Sequence, residues 1–189
     1  MAVFGFNFFG LLGRSRAERR GYELYGEAVR AARAPLYYAE LGVPDTLDGR
    51  FDMVGLHAFL LIRHLTQQPG GQPTAQAIFD AMFNDMDVNL REMGVGDLSV
   101  GKKVRVMWEA FHGRAQAYSE ALKQGRATLA EALARNLWPD AEQAPSAADT
   151  LAGIVLAQDA ALARCDLPRW APGAPLFQAP DALRARLAA

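Results

Sequence analysis

At 189 residues, with 51% apolar and 22% charged residues, the chain can bury a core as one domain, which excludes disorder as its main state. Twenty Lys and Arg against 21 Asp and Glu leave a net charge of -1, so nothing electrostatic calls for nucleic acid or another polyanion as partner. The single cysteine, Cys165, excludes an intrachain disulfide and a multi-cysteine metal site and favours a reducing compartment.

The first twelve residues are strongly apolar, with Phe4, Phe6, Phe8, Phe9, Leu11 and Leu12, and Arg14, Arg16, Arg19 and Arg20 follow. The run is too short to span a bilayer, which takes about 20 apolar residues. Apolar first and basic second is also the reverse of a secretory signal. Two readings stay open: the aromatic residues pack back on the domain, or they enter a membrane interface while Arg14 and Arg16 meet anionic headgroups.

Ser15-Arg16-Ala17-Glu18 has the form of a capping box, opening a helix to about Arg33 with Tyr22, Tyr25, Val29 and Ala32 inward. Pro35 interrupts it; a short helix through Tyr37, Tyr38 and Leu41 precedes Gly42, and 43–49 is turn-rich. From Phe51 to about Leu65 the apolar residues again recur at helical spacing.

The stretch 79–118 reads as the pair of elements around which the chain is organised. Phe79, Met82, Phe83, Met86, Leu90 and Met93 form one stripe of an acidic helix capped by Thr74. Gly94 follows as a C′ glycine, and Ser99 is placed to cap a second, basic helix. That helix turns Val104, Met107, Trp108, Phe111, Ala115, Tyr118 and Leu122 inward and leaves Lys102, Lys103, Arg105, Arg114 and Lys123 mostly outside. Opposite charge on the two arms predicts attraction between them, or a two-signed docking surface for a protein partner.

Thr128-Leu129-Ala130-Glu131 repeats the capping-box form and opens a short helix ended by Pro139. A linker follows, then a helix from Ser146 through Leu162; the Pro-rich 166–180 reads as an extended tail laid across the domain. No strand pattern of useful length occurs. The expectation is an all-α fold: an apolar segment over 1–14, a compact helical domain over 15–138, a linker and added helix over 139–165, and a tail over 166–189.

Chemistry is sparse in this pattern. No nucleotide fingerprint, serine elbow or Cys–His pair is present. His57 and His64, seven apart, share one side of a helix without the further ligands a metal needs. Asp85 and Asp87 have the spacing of a magnesium-diphosphate site, but no second acidic motif accompanies them. By residues alone the chain is a soluble helical domain with a polar interaction surface and an apolar start for which both readings stay open.

A resemblance goes further. Arg33-Ala34-Pro35-Leu36-Tyr37-Tyr38, Leu41 to Thr46, Gly49-Arg50-Phe51-Asp52, Leu56-His57, Phe83 to Asp87, Leu90 to Asp97 and Gly101 to Val104 together resemble the ubiquinol-cytochrome c chaperone family over about 22–122. The resemblance implies a non-enzymatic assembly factor for respiratory complex III that binds newly made cytochrome b. In mitochondria the family works with a small partner protein beside the ribosome exit at the inner membrane. The Ala/Arg-rich usage and the lack of a transit-peptide pattern look bacterial, which leaves that small partner open here, and the role carried over by the resemblance implies a place in the bacterial cytoplasm, peripheral to the inner membrane.

Such a chaperone wants an apolar groove rimmed by charge. On that reading Tyr37, Tyr38, Phe51, Phe83 and Trp108 supply apolar surface. Arg50, Asp52, Asp85, Asp87, Arg91, Asp97, Lys102 and Lys103 form the rim or brace the turn. No cofactor or metal is expected. The rivals are a metal- or diphosphate-dependent helical enzyme using Asp85 and Asp87, and a membrane-surface scaffold without a client.

Overall fold

The computed structural model describes the backbone of residues 8–141 and 146–188 and the side chains of 16–141 and 146–187. Among these residues the chain is all helical, as expected: α1 (Phe8–Ala32), α2 (Leu47–Gln67), α3 (Gln72–Glu92), α4 (Asp97–Gln124), α5 (Arg126–Leu137), α6 (Ser146–Leu162) and α7 (Pro180–Ala188). A single π-helical turn spans Leu36–Glu40 and a 3-10 turn spans Leu167–Arg169. No described helix is long and apolar enough to cross a membrane.

The centre is α2, not the α3–α4 pair. Every residue from Phe51 to Leu61 is buried, so this helix is enclosed on all sides, and it touches α1, α3, α4, α5 and α6. One core runs from Leu24 on α1 to Leu183 on α7. The packing of α5 on α6 carries that core across the stretch read from sequence as a linker.

Helix starts depart from the capping patterns. Helix α1 is already helical at Phe8, so Ser15 stands inside it. Thr74 is buried inside α3, whose cap is Gly71; Ser99 lies inside α4, which Asp97 opens; Thr128 lies inside α5, which starts at Arg126. Side-chain caps are worth only about 1 kcal/mol, so packing of neighbouring helices readily moves an end by a turn. Thr46 does cap α2, accepting from the Gly49 N–H at 3.2 Å.

The Gly94 turn matches its sequence signature. At φ +80° Gly94 sends its N–H to the Arg91 carbonyl at 2.9 Å, and Val95 sends its own to Leu90 at 3.0 Å, the paired bonds that close a helix in a left-handed glycine. Met93, expected on the inner stripe, is the C-cap and is 61% exposed.

The segment 166–180 is laid across the domain but is more firmly packed than an extended tail, with Leu167, Trp170 and Leu176 buried. Two glutamines clamp it. Gln68 donates to the Cys165 carbonyl (2.8 Å) and accepts from the Leu167 N–H (3.0 Å); buried Gln158 donates to the Gln178 carbonyl (2.7 Å) and accepts from its N–H (3.0 Å). Each amide satisfies a backbone donor and acceptor that an irregular segment would otherwise bury unpaired.

Candidate functional site

Only part of α4 is held by the core. Between Asp97 and Ala110 only Val100 is buried, whereas Leu98 is fully exposed and Val106 and Trp108 are 57% and 44% exposed. Further along, Phe111, Tyr118 and Ala121 anchor the helix. The exposed half thus presents apolar side chains together with Lys102 and Lys103, which make no ion pair among the described residues.

This half-packed helix separates two depressions. On one flank a cleft of about 480 Å³ lies between the start of α2, the middle of α4 and the end of α5. Its lining includes Phe51 and Asp52 from α2, Val106, Met107, Ala110 and Arg114 from α4, and Asp140 after α5. On the other flank a groove of about 280 Å³ is lined by Ile62, Phe79, Trp108 and His112 with Thr66, Gln72 and Gln76. Trp108 lies over His112 with ring centroids 4.0 Å apart.

At the cleft floor Arg114 Nη1 meets Asp52 Oδ1 at 2.5 Å. Asp52 is 8% exposed, and burial pushes its carboxyl up to about 7 against the pull of Arg114, with Asp48 adding to the rise. Sequence spacing placed Arg114 only as one cation off the apolar face of its helix; its partner is 62 residues away, and no local signal joins them.

Other expected contact residues fall elsewhere. Tyr37 is buried, its hydroxyl 3.4 Å from His57 Nε2, and half-buried Tyr38 donates to the Ala32 carbonyl at 2.8 Å, which closes the end of α1. Phe83 packs on Phe79 and Phe111. These aromatics give their area mostly to the core, and Trp108 alone of the five is exposed.

The polar set is scattered as well. Arg50 pairs with Asp45, its Nε 2.5 Å from Oδ1, and ties the 43–46 loop to α2. Asp85 accepts from the Tyr25 hydroxyl at 2.7 Å and from Asn89 at 3.1 Å, bracing α3 against α1. Asp87 accepts from Arg91 Nε at 2.6 Å, and Arg91 also bonds Asp97 across the Gly94 turn. Among the described residues that last pair is the ion pair that joins the arms; Asp87 and Arg91, Arg105 and Glu109 pair within their own helices, and Arg114 pairs with Asp52 on α2. Asp85 and Asp87 point to different partners and do not converge as a magnesium pair would.

The two histidines are likewise committed. His57 is fully enclosed, donates Nδ1–H to the Met53 carbonyl at 2.8 Å, and is pushed down to about 4 by that burial. His64 Nε2 bonds Asp159 Oδ1 at 2.8 Å and joins α2 to α6. Among the described residues no group of three or more His, Cys, Asp or Glu is placed to hold a metal ion.

Phe4 and Phe6 lie outside the described residues. Phe8, Phe9, Leu11, Leu12 and Arg14 belong to α1, but their side chains also lie outside the description; Arg16 is exposed.

Among the described residues the domain is all helical and presents a half-packed helix between two open depressions. Residues 39–177 match the model of the ubiquinol-cytochrome C chaperone family, and the chain belongs to that family. It is 28% identical over 102 residues to the ubiquinol-cytochrome-c reductase complex assembly factor 1 of Xenopus laevis, an alignment covering 53% of this chain and 51% of that protein. The chain therefore spans about half the length of that curated relative. It is also similar to the crystal structure of the Cbp3 homolog from Brucella abortus, at 36% identity and a TM-score of 0.77, covering 88% of this chain and 93% of that one.

Proposed function

We propose that this chain is an assembly chaperone of respiratory complex III that binds newly made cytochrome b at the membrane receiving it. The observation that carries the reading is the exposed half of α4, where Leu98, Val106 and Trp108 stand in solvent between two depressions on a domain of this family. Apolar side chains exposed singly are ordinary, but here Val106 and Trp108 each line a depression beside a stretch of helix that buries only Val100 between Asp97 and Ala110. Holding an apolar segment reversibly requires shallow apolar contact edged by charge, and Lys102, Lys103, Asp48 and Asp140 supply that edge. The role requires no catalysis.

Membrane contact through the apolar, Arg-flanked start of the chain belongs to the same proposal. The test is affinity capture from membranes of the native host, using the full chain and a chain lacking residues 1–20. Cytochrome b recovered with both forms supports a client site on the helical domain. Recovery with the full chain alone moves the main site to the N-terminus. Its absence from both, with the protein folded, refutes the role.

A further inference from the structure

The two depressions beside α4 differ in charge. The groove of Phe79, Trp108 and His112 contains no Asp, Glu, Lys or Arg. The α2–α4–α5 cleft contains two exposed carboxylates, Asp48 and Asp140, above a floor where buried Asp52 is paired with Arg114. Arg114 engages only Oδ1 of Asp52, and Oδ2 makes no bond among the described residues. Asp48 and Asp140 are exposed and form no ion pair there. With a volume of about 480 Å³ the cleft falls within the usual range of ligand pockets, about 300–1,000 Å³. Its α4 wall is apolar, made by Val106, Met107 and Ala110.

We infer that this cleft receives the basic flank of an apolar polypeptide segment, with a Lys or Arg side chain seated between Asp48 and Asp140 and the adjoining apolar residues against Val106 and Met107. The inference rests on the chaperone reading and names the part of a client that the cleft takes. Charge complementarity selects the occupant: a cation relieves the carboxylate excess, whereas a phosphate headgroup or an acidic peptide meets repulsion from the same residues. Membrane proteins carry such segments by rule, because their short cytoplasmic loops place Lys and Arg beside apolar spans. The arrangement also separates two tasks. The exposed apolar side chains of α4 supply area without direction, and the cleft supplies register by accepting one sign of charge at one end of a segment.

The test uses the full chain and a fluorescein-labelled peptide, Lys-Lys-Leu-Phe-Ala-Leu-Ala-Gly, with a twin in which both lysines are glutamates, read by anisotropy. The lysine peptide should bind at least about tenfold more tightly than its twin, and weaken with salt as exposed charge pairs do. Asp48→Asn with Asp140→Asn should remove most of that preference at unchanged melting temperature. Val106→Arg, which places a cation at the cleft mouth from an exposed position, should do the same without touching a carboxylate. Equal binding of the two peptides, binding of neither, or a preference that survives both variants overturns the inference. Capture of cytochrome b by the Asp48→Asn, Asp140→Asn chain at the level of the unaltered chain would also overturn it while leaving the assembly role intact. Failure of the unaltered chain to capture cytochrome b would instead refute the role, and the peptide titration would still decide the cleft.

Discussion

Tyr25 donates its hydroxyl to Asp85 at 2.7 Å, so an aspartate in the most distinctive acidic run of the sequence is spent on joining α1 to α3. Tyr25 is 7% exposed, and its burial together with the Asp85 carboxylate holds the hydroxyl protonated far above its ordinary range. Tyr25→Phe should cost about 1.5–3 kcal/mol, as expected for a hydrogen bond to a charged acceptor. Asp87, two residues on, accepts only from Arg91 on the surface, so Asp87→Asn should cost about 0–1 kcal/mol. Urea melts of Tyr25→Phe, Asp85→Asn, their double variant and Asp87→Asn decide this. Equal costs at Asp85 and Asp87, or additivity of the first two changes, would refute the division of labour.

Two titrating groups on α2 should act against each other. Folded Asp52 keeps its proton up to about pH 7, whereas its ordinary value is near 3.8; between about pH 4 and 7 the unfolded chain binds fewer protons, and stability falls as pH rises. Folded His57 stays neutral down to about pH 4 against an ordinary 6.5, so over about pH 4 to 6.5 the unfolded chain binds more protons and stability rises with pH. Each slope is at most about 1.4 kcal/mol per pH unit. The unaltered chain should therefore be nearly flat in that window as far as these two groups are concerned. Asp52→Asn should expose the rising slope and His57→Asn the falling one, read from chemical denaturation at several pH values. A variant pair with the same slope would contradict the assignment.

Gly21 sits where α1 meets α3. A Cβ there would collide with the Ala77 side chain and stand 2.9 Å from the Ala77 carbonyl carbon. Gly→Ala inside an exposed helix ordinarily stabilises by about 1 kcal/mol. Here Gly21→Ala should instead destabilise by about 1–3 kcal/mol, because the helices must part. Adding Ala77→Gly should recover only part of the loss, since the backbone contact remains. Thermal melts of the three variants measure it.

Phe111 and Trp108 lie three residues apart on α4 and should behave oppositely. Phe111→Ala removes a buried ring packed on Phe79 and Phe83, at a cost of about 3–5 kcal/mol. Trp108→Ala removes a ring that is 44% exposed and stacked on His112; it should cost less than about 1.5 kcal/mol and lower capture of cytochrome b. A large loss of stability at Trp108 without loss of capture would mean that this surface is not a contact.

The sequence by itself determined helices α1 to α6 and one turn, and read α7 as part of a tail. Periodicity at 3.6 residues marks α2, α3 and α4 because burial of one stripe is a local property of spacing, and Gly94 marks its turn because only a residue without a Cβ enters the left-handed region cheaply. Unusual residue pairs over 22–122 were enough to bring out the family. Spacing could not say how much of a stripe is covered. Trp108 and Met93 share the phase of Phe111 and Leu90, yet one flanks an open groove and the other caps a helix end.

Only the tertiary structure decided that α2 is the centre, that Asp85 braces while Asp87 does not, and that Asp52 finds Arg114 at the floor of a cleft. Each of these joins residues tens of positions apart, and such a contact depends on where helices land rather than on the pattern within any one of them. The capping patterns at Ser15, Thr74, Ser99 and Thr128 failed for the same reason: a cap worth about 1 kcal/mol yields to burial of a neighbouring face, which is worth several times more.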